Sequence, residues 1–288
     1  MPARVAYTPD ELDTALADAR AHGRRIAFVP TMGAIHDGHL GLVETAREHG
    51  DLIVASVFVN PTQFGPGEDY ERYPRDLGRD VELLGGAGVD IVFAPDVETV
   101  YPPGTEDVTV DPGPLGQVLE GVSRPTHFRG VLTVVAKLFA FVRPGAAVFG
   151  EKDYQQLVLV RRLARALHTG VDVVGRPIVR DGDGLAKSSR NAFLSDAERA
   201  TALVLSRALH TGAAARSRGA EAVTAAARGV LAGADGVHLD YLALTDAELG
   251  EPAGGRAARL LVAARVGSTR LIDNLGFDLP DDPGTTPR

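Results

Sequence analysis

Short apolar runs rich in β-branched residues alternate with amphipathic segments along the first half of the chain. This alternation limits the fold more than any other feature. The apolar runs "RRIAFVPT", "DLIVASVFV" and "VDIVFAP" are separated by "HLGLVETAREHG" and "RDVELLGGAG". Such a pattern predicts strands that alternate with helices, β-α-β-α-β, and therefore a parallel sheet. The runs show no polar alternation, which is typical of strands covered by helices on both faces.

The same alternation continues for a second round. A helix is predicted in "VLTVVAKLFAFV", followed by the strand "AAVFG", the helix "YQQLVLVRRLARAL" and the strand "VDVVG". We therefore predict an α/β domain with a doubly wound, Rossmann-like parallel sheet over residues 1–175. Residues 176–288 contain alanine-rich helical segments followed by "VHLDYLALTD" and "ARLLVAARVGSTRLIDN", which predict a smaller α+β domain with antiparallel strands. The tail "DLPDDPGTTPR" is expected to fray.

Composition narrows the functional classes. Of 288 residues, 44% are hydrophobic and 24% are charged, and no apolar run is long enough to span a membrane. The N-terminal segment lacks the basic start and apolar block of a secretory signal, so we expect a cytoplasmic protein. The chain has no cysteine, which excludes disulfides, thiolate zinc sites and a cysteine nucleophile. The formal net charge of -8 argues against a broad nucleic-acid surface but allows a local basic pocket for a small anion.

Polar residues concentrate in the loops that follow the predicted strands. Ligands of an open parallel sheet bind beyond the carboxyl ends of the strands, so a site is expected in these loops. The segments "PTMGAIHDGH", "NPTQFGPGEDYERYP" and "GEKDYQQ" each follow a strand, and "GLAKSSRN" comes later in the chain. Together they supply the candidate residues His36, His39, Asn60, Gln63, Lys152, Asp153, Gln156, Lys187, Ser188, Ser189 and Arg190.

The first of these loops has the features of an anion site. Gly33 and Gly38 allow the backbone to approach a ligand closely, and His39 falls where a helix is predicted to start. Free N–H groups and the positive end of the helix dipole favour phosphate at such a place. The pair His36 and His39 could instead bind a metal, but no HExxH motif or carboxylate cluster supplies a third ligand. Solvated loop residues are the remaining alternative.

The other polar segments are each open to two interpretations. Lys152 could neutralise charge on a transferring phosphoryl group, or it could face solvent beside a helix-capping Asp153. The amides of Asn60, Gln63 and Gln156 suit the hydroxyl and carboxylate oxygens of a substrate, or they are ordinary loop residues.

The segment "AKSSRN" carries two cations and two hydroxyls within four residues, which suits a polyphosphate. A helix-capping turn before "SDAERATALVLSRAL" is the competing interpretation. The segment is not a Walker A loop, because Asp181 and Ala186 stand where that motif has glycine. No G-x-G-x-x-G follows the first strand and no G-x-S-x-G is present, so dehydrogenase and α/β-hydrolase functions lose their main support.

The assembled motifs resemble those of the pantothenate synthetases, the pantoate–β-alanine ligases. The matching stretches are "VPTMGAIHDGH", "SVFVNPTQFG", "YPRD", "RPTHFRGVLTVV", "FGEKDYQQL" and "GLAKSSRN", in the order and spacing of that family. The resemblance implies a nucleotidyl-transferase version of the Rossmann-like fold, related to the class I aminoacyl-tRNA synthetases. In that comparison "HDGH" stands where those enzymes have HIGH, and "AKSSR" where they have KMSKS.

The resemblance also implies a reaction. Pantoate attacks the α-phosphate of ATP in the presence of Mg²⁺, which releases pyrophosphate and leaves pantoyl adenylate. The amine of β-alanine then attacks the acyl group and expels AMP, giving pantothenate for coenzyme A biosynthesis. The partners implied are pantoate, β-alanine and ATP, with no nucleic acid and no membrane. A homodimer, and closure of the second domain as a lid over ATP about a hinge in "RPIVRDGDG", are further expectations from the family.

Site residues follow from the resemblance by position. His39 is the residue to which the family's proton-donor role is usually assigned, and His36 and Lys152 join it as catalytic candidates. Pantoate and β-alanine are assigned to Gln63, Gln156, Asn60, Tyr73 and Arg124. No protein residue is expected to be a metal ligand, because Mg²⁺ binds mostly through phosphates. The residues assigned to ATP are Pro30, Thr31, Met32, Gly33, Ala34, Ile35, His36, Asp37, Gly38, His39, Gly150, Glu151, Lys152, Asp153, Val179, Lys187, Ser188, Ser189 and Arg190.

Some positions depart from the family pattern. Lys187 occupies a place that is often apolar, so its contact with ATP could be through the backbone alone. Asp76 replaces the usual threonine after "YPR", and Arg79 precedes Asp80 where some members have two acids, so an accessory metal contact there is left open. Two rival functions remain: another nucleotidyl transferase of the same fold, and a nucleotide-binding module without catalysis.

Overall fold

The structure is a computed structural model that describes residues 3–68, 70–105 and 107–281. Residues 282–288 of the tail that was expected to fray lie outside the described residues. The chain divides into two compact units. The first comprises Met1–Glu151 and Gln155–Pro177, and the second comprises Lys152–Tyr154 and Ile178–Arg288. The sequence places the main boundary after residue 175, and the division here falls after Pro177.

The first unit contains six strands and the helices that connect them, except that Lys152–Tyr154, in the turn after β5 and at the first residue of α7, belongs to the second unit. Short 3-10 turns, Pro61–Gln63, Pro114–Gln117 and Glu151–Asp153, follow some of the strands and loops. The regular elements are β1 (Arg4–Ala6), α1 (Pro9–Ala21), β2 (Ile26–Thr31), α2 (Asp37–His49), β3 (Leu52–Val57), α3 (Leu77–Gly86), β4 (Ile91–Phe93), α4 (Val97–Val100), α5 (Glu120–Ser123), α6 (His127–Val142), β5 (Ala146–Gly150), α7 (Tyr154–Ala166) and β6 (Asp172–Arg176).

The six strands form one parallel sheet in the order β1-β4-β3-β2-β5-β6. The chain moves from β2 to β3 and β4 on one side, and from β5 to β6 on the other. The topological switch point, where ligands of such sheets bind, therefore lies between β2 and β5. Strands β2 and β3 are buried along nearly their whole length, as expected for strands with helices on both faces. The predicted doubly wound parallel sheet is confirmed.

The N-terminal strand and helix were not predicted. β1 has only three residues and lies at the sheet edge, so it has too few positions to show a periodic pattern. Helix α1 does carry a sequence signal, because Thr8 caps it, Pro9 occupies its first turn and Glu11 completes a capping box. The Thr8 hydroxyl accepts from Glu11 N at 3.2 Å.

The second unit packs helices on a three-stranded antiparallel sheet of order β7-β8-β9. Its helices bury alanine, valine and leucine side chains such as Val204, Leu209 and Val223 against β8, where Leu260 and Val262 are fully buried. The predicted smaller α+β domain is confirmed. No helix within the described residues is long and apolar enough to cross a membrane. The elements are α8 (Asp196–Ala214), α9 (Ala220–Ala232), β7 (Val237–Asp246), β8 (Arg256–Val266) and β9 (Thr269–Leu279).

Candidate active site

The loop after β2 has an unusual backbone conformation. Thr31 at the end of β2 is buried, and its hydroxyl donates to Ser56 O of β3 at 2.6 Å. Gly33 and Ala34 then adopt positive φ angles of 81° and 51°. For a residue with a side chain, the left-handed region costs roughly 1–2 kcal/mol. Such a conformation persists only where its surroundings fix it.

Asp80, from the first turn of α3, fixes this conformation. Asp80 is 3% exposed; its Oδ2 accepts from Ala34 N at 3.0 Å and its Oδ1 from Ile35 N at 2.8 Å. A Cβ atom at Gly33 would lie 2.6 Å from Asp80 Oδ2, so only glycine allows the carboxylate this close. Two backbone amides of the predicted ATP segment are therefore engaged by Asp80. The structure gives this residue a loop-holding role, where the sequence left a metal contact open.

His36 and His39 form a capping box made of two imidazoles at the N-terminus of α2. Gly38 N donates to His36 Nδ1 at 3.1 Å, and His36 N donates to His39 Nδ1 at 3.3 Å. The two ring centroids are 4.1 Å apart. Because each Nδ1 accepts from a backbone N–H, a neutral ring carries its proton on Nε2. Both rings can therefore donate an Nε2–H to an anion at this helix terminus, where the helix dipole also favours negative charge.

Asn60 and Gln63 follow β3, next to the loop after β2. Asn60 is 1% exposed and Gln63 is 8% exposed. Asn60 Nδ2 donates to Gln63 Oε1 at 3.1 Å, and Gln63 Nε2 lies 2.7 Å from Met32 Sδ. The structure thus brings Met32 of the predicted ATP segment against Gln63 of the predicted pantoate site. The burial of Asn60 favours a role in supporting Gln63. Tyr73 is also buried, with its ring 6.0 Å from that of Phe64.

Arg124, which directly follows α5, supports the same segment together with His127 at the start of α6. Its Nε and Nη2 donate to the two carboxylate oxygens of Glu68, each at 2.7 Å. Arg124 Nη1 lies 3.1 Å from His127 Nε2, and His127 Nδ1 lies 2.9 Å from Gln63 O. Because arginine can only donate, His127 accepts at Nε2 and donates at Nδ1 to the Gln63 backbone. Burial raises the pKa of the Glu68 carboxyl, but the hydrogen bonds and charge of Arg124 outweigh it and bring the pKa below 4.5.

Lys152 lies in the 3-10 turn directly after β5. Its side chain is 20% exposed, and its Nζ is 3.8 Å from Asp153 Oδ2. Its backbone carbonyl accepts from Asn274 Nδ2 of β9 at 3.0 Å, within the second unit. Asn274 is itself buried. The turn is thus anchored through its backbone while the ammonium group stays partly accessible, as a charge-stabilising lysine requires.

Two adjacent glutamines at the start of α7 have different surroundings. Gln155 is 3% exposed, and its Oε1 accepts from Glu120 N at 3.0 Å. Its Nε2 donates to Leu115 O at 2.7 Å and to Val118 O at 2.9 Å. Gln156, the predicted pantoate residue, is half-buried. Gln155 therefore has a structural role, and Gln156 remains the candidate for the site.

A narrow turn of the second unit brings Val179 and Lys187 together. Lys187 N donates to Val179 O at 2.9 Å, and Asp181 N donates to Leu185 O at 2.8 Å. Asp181 Oδ2 lies 2.7 Å from Arg199 Nη2, and its Oδ1 lies 2.9 Å from Lys187 Nζ. The hydrogen bonds from Arg199 and then from Lys187 lower the pKa of the Asp181 carboxyl. Both the backbone and the side chain of Lys187 therefore have defined positions.

The residues after Lys187 form a separate turn. Ser188 begins the 3-10 turn Ser189–Phe193, and its Oγ accepts from Arg190 N at 3.3 Å. Helix α8 has its own cap, in which Ser195 Oγ accepts from Glu198 N at 3.3 Å. The alternative interpretation of "AKSSRN" as the cap of that helix is therefore wrong. The hydroxyl and cation groups of this turn remain candidates for ATP.

Comparison with known proteins identifies the family. The chain matches the family model for pantoate-beta-alanine ligase over residues 4–276. The chain belongs to this family. A pantothenate synthetase from Saccharopolyspora erythraea is 57% identical over 284 residues, which is 98% of this chain and 94% of the relative. The family resemblance inferred from the motifs is confirmed.

Solved structures of pantoate–β-alanine ligases share the fold. The crystal structure of the pantothenate synthetase from Thermus thermophilus is 50% identical, with a TM-score of 0.87 over 94% of this chain and 98% of that one. The ligase from Francisella tularensis, described as complexed with beta-gamma ATP and beta-alanine, is 32% identical. Its TM-score is 0.78, over 95% of this chain and 97% of that one.

Within this ligase-family chain, sequence reasoning missed several residues that shape the site. Glu68 and Tyr101 were not singled out, Asp181 was named only because it excludes a Walker A loop, and Asp80 was considered only for a metal. Asp80 had a detectable signal, because it occupies the core-facing position one turn before the buried Leu84 in α3. Across residues 3–68, 70–105 and 107–281, no group of three or more His, Asp or Glu side chains could hold a metal ion.

Proposed function

We propose that this chain condenses pantoate with β-alanine to give pantothenate in two steps driven by ATP, for coenzyme A biosynthesis. First, a pantoate carboxylate oxygen bonds to the α-phosphorus of ATP, the bond to the bridging oxygen breaks, and pyrophosphate leaves. Second, the amine of β-alanine attacks the acyl carbon of pantoyl adenylate, AMP leaves, and the amine loses a proton. Membership of the pantoate–β-alanine ligase family over residues 4–276 carries this proposal.

ATP is proposed to bind at the carboxyl end of the sheet, with its phosphates near the N-terminus of α2. Two Nε2–H donors at that terminus, from His36 and His39, suit a polyphosphate. Lys152 would neutralise charge that grows on the leaving pyrophosphate. The Francisella relative, described with beta-gamma ATP and beta-alanine, supports these ligands. The other ATP residues assigned from the motifs in segments 30–39, 150–153 and 187–190 and at Val179 are part of the same proposal.

Mg²⁺ is proposed to enter with ATP. This ion keeps several waters and is held mainly by phosphate oxygens, and when bound it neutralises part of the phosphate charge. Asp80 is the buried carboxylate next to the ATP segment, and both of its oxygens accept from backbone amides. Because both oxygens already accept hydrogen bonds from the loop, Asp80 is better suited to hold the loop than to coordinate the ion directly.

His39 is proposed to hold phosphate as a neutral hydrogen-bond donor. A proton on Nδ1 would turn the group that accepts from His36 N into a second donor, and the 3.3 Å hydrogen bond would be lost. Pyrophosphate surrounded by cations needs little protonation to leave, so donation of a hydrogen bond is sufficient.

Pantoate is proposed to contact Gln63 and Gln156, with Gln63 also close to β-alanine. Asn60, Tyr73 and Arg124 are proposed to support these contacts. Arg124 fits that supporting role, because its side chain is paired with Glu68 and it approaches the Gln63 backbone, with Nη2 3.4 Å from Gln63 O.

Pyrophosphate exchange tests the proposed function. The purified protein should incorporate labelled pyrophosphate into ATP when pantoate is present and β-alanine is absent. Without β-alanine only the adenylation step takes place, and its reversal returns the label to ATP. Exchange supported by another carboxylic acid or by a nucleotide substrate, with none from pantoate, would favour a different nucleotidyl transferase. ATP binding by folded protein without any exchange would favour a non-catalytic binding module.

Three further features stay proposals from the family resemblance. They are a homodimer, a cytoplasmic location, and movement of residues 176–288 as a lid. Sedimentation equilibrium would measure the first, and localisation of a tagged chain the second. Small-angle scattering with and without a non-hydrolysable ATP analogue would address the third, and an unchanged radius of gyration would weigh against movement.

A further inference from the structure

The side-chain amide of Asn60 is almost fully buried, and the backbone fixes its orientation. Asn60 Oδ1 accepts from Thr62 N at 3.4 Å, and Asn60 Nδ2 donates to Gly130 O at 3.2 Å. A backbone N–H can only donate and a backbone carbonyl can only accept. The oxygen of this amide therefore faces Thr62 and its nitrogen faces Gly130. The alternative orientation, in which Oδ1 and Nδ2 exchange places, is excluded by these two contacts.

The contact between Asn60 and Gly130 depends on the close approach of α6 to the turn Pro61–Gln63. A Cβ atom at Gly130 would lie 2.3 Å from Thr62 O, so the helix can pack against the turn Pro61–Gln63 only through a glycine. This packing places the Gly130 carbonyl against Asn60. The buried amide is thus held between two elements of the first unit that are far apart in sequence.

The orientation of Asn60 dictates that of Gln63. Asn60 Nδ2, a donor, lies 3.1 Å from one end of the Gln63 amide, which must therefore be the acceptor Oε1. The Gln63 NH₂ group consequently points the other way, where it lies 2.7 Å from Met32 Sδ, a weak acceptor. A reversed Gln63 amide would set two NH₂ groups against each other inside a buried network.

Tyr101 completes the network from the end of α4. Its hydroxyl donates to Asn60 Oδ1 at 2.8 Å and lies 3.0 Å from Thr62 Oγ1. Burial raises the pKa of the Tyr101 phenol above 10.0 despite its hydrogen bonds with Thr62 and Asn60, so the hydroxyl is protonated at neutral pH and can donate. The ring is held by Lys137, whose Nζ lies 5.1 Å from the ring centroid.

We propose that Asn60 and Tyr101 are positioning residues that fix the Gln63 amide with its N–H groups, and not its carbonyl oxygen, toward pantoate. The proposal rests on the proposed function only for the identity of the substrate. On this proposal the Gln63 NH₂ group donates a hydrogen bond to a hydroxyl or carboxylate oxygen of pantoate. Sites that offer a buried donor discriminate strongly against analogues that lack the matching acceptor.

Side-chain amide signals in an NMR titration test this directly. Pantoate should shift the NH₂ signals of Gln63, assigned by comparison with Gln63→Glu, and leave those of Asn60 unchanged. A shift at Asn60 with none at Gln63 would overturn the inference. A protein that shows pantoate-dependent exchange but no shift at Gln63 would overturn this inference alone. The absence of both binding and exchange would overturn the proposed function, and with it the assignment of pantoate to Gln63.

Kinetics of two variants give a second test. Asn60→Asp places an acceptor where Nδ2 was, which forces Gln63 to reverse, so the KM for pantoate should rise roughly 10- to 100-fold. The KM for ATP should stay within about threefold, since that ligand is not bound by Gln63. Tyr101→Phe removes the tyrosine hydroxyl but leaves the hydrogen bonds from Thr62 N and Thr62 Oγ1 to Asn60 Oδ1 in place, so the KM for pantoate should rise by only roughly 3- to 10-fold. Tyr7→Phe, at a tyrosine that is 51% exposed, is the matched control.

The variants also separate positioning from general stability. If Asn60→Asp fails to fold, Tyr101→Phe and the NMR titration still decide the question. Equal increases in the KM for pantoate and for ATP, or an unchanged KM for pantoate in folded Asn60→Asp, would overturn the proposal.

Discussion

Replacing Asp80 by asparagine should impair the use of ATP without unfolding the chain. The carboxylate accepts from Ala34 N and Ile35 N at 3.0 Å and 2.8 Å, and these contacts hold Gly33 and Ala34 at positive φ. Asparagine has nearly the same shape but only one acceptor. Its NH₂ group must therefore face one of the two N–H donors.

The size of the effect follows from these contacts. A hydrogen bond to a charged group contributes about 1.5–3 kcal/mol, so the two together favour this loop conformation by roughly 3–6 kcal/mol. Asparagine keeps about half of this and adds a donor–donor contact, for a loss of about 2–4 kcal/mol. If ATP binds only the held conformation, the affinity falls with the population of that conformation. These contacts oppose roughly 1–2 kcal/mol for the left-handed conformation of Ala34 and about 1–2 kcal/mol for ordering each of the two loop residues, so the held conformation is only marginally favoured in the parent. A loss of about 2–4 kcal/mol then makes it the minor form, and the kcat/KM for ATP should fall roughly 10- to 100-fold.

The assay is pantoate-dependent pyrophosphate exchange at varied ATP, with urea unfolding of the same preparations. Glu82→Gln is the matched control, since Glu82 lies exposed on the same helix. The amide protons of Ala34 and Ile35 should shift in Asp80→Asn and not in the control. A folded Asp80→Asn protein with a kcat/KM for ATP within about threefold of the parent would refute the loop-holding role.

Three other predictions concern groups of the candidate site. His39→Gln keeps a neutral N–H donor and should lose about 10-fold in exchange rate, whereas His39→Ala should lose about 100-fold or more; equal losses would indicate proton transfer instead. Lys152→Met keeps the length of the side chain without its charge and should lower the adenylation rate by roughly 100-fold or more, and a near-normal rate would remove the lysine from charge stabilisation. The pKa of Glu68 is lowered in the folded state, so its pair with Arg124 stabilises fully above 4.5 and is lost as the pH falls through the folded value. Glu68→Gln should therefore make the free energy of unfolding less dependent on pH below about 4.5, which urea titrations at several pH values would measure; an unchanged dependence would contradict the pairing.

The sheet and its active edge were predictable because they depend on local patterns and on one general rule. Runs such as those that became β2 and β3 are apolar at nearly every position, which in the structure reflects burial on both faces. Once the strands are parallel, their carboxyl ends share one edge, so the loops with His36 and Asn60 had to fall near each other. The N-terminal strand β1 was not predicted, because three residues are too few to show a periodic pattern.

Contacts that shape the loops could not be predicted, because they join residues far apart in sequence. Asp80 lies 46 residues from Ala34, and Asn60 lies 70 residues from Gly130. Each is a single polar residue among many, and its role depends on how two elements pack. An acidic residue on the apolar face of α3 indicates a buried partner, but it does not say which backbone amide supplies it.

The adjacent Gln155 and Gln156 show which assignments the sequence alone cannot make. Successive positions on a helix differ by about 100° in direction, so one glutamine faces the protein interior and the other does not. The sequence cannot tell which, because the two side chains are chemically identical. The structure distinguishes them, since three backbone groups within residues 115–120 hydrogen-bond with the buried Gln155 amide. The chemistry of the site was therefore visible in residue types, while the assignment of each amide to packing or to substrate required the hydrogen bonds of its neighbours.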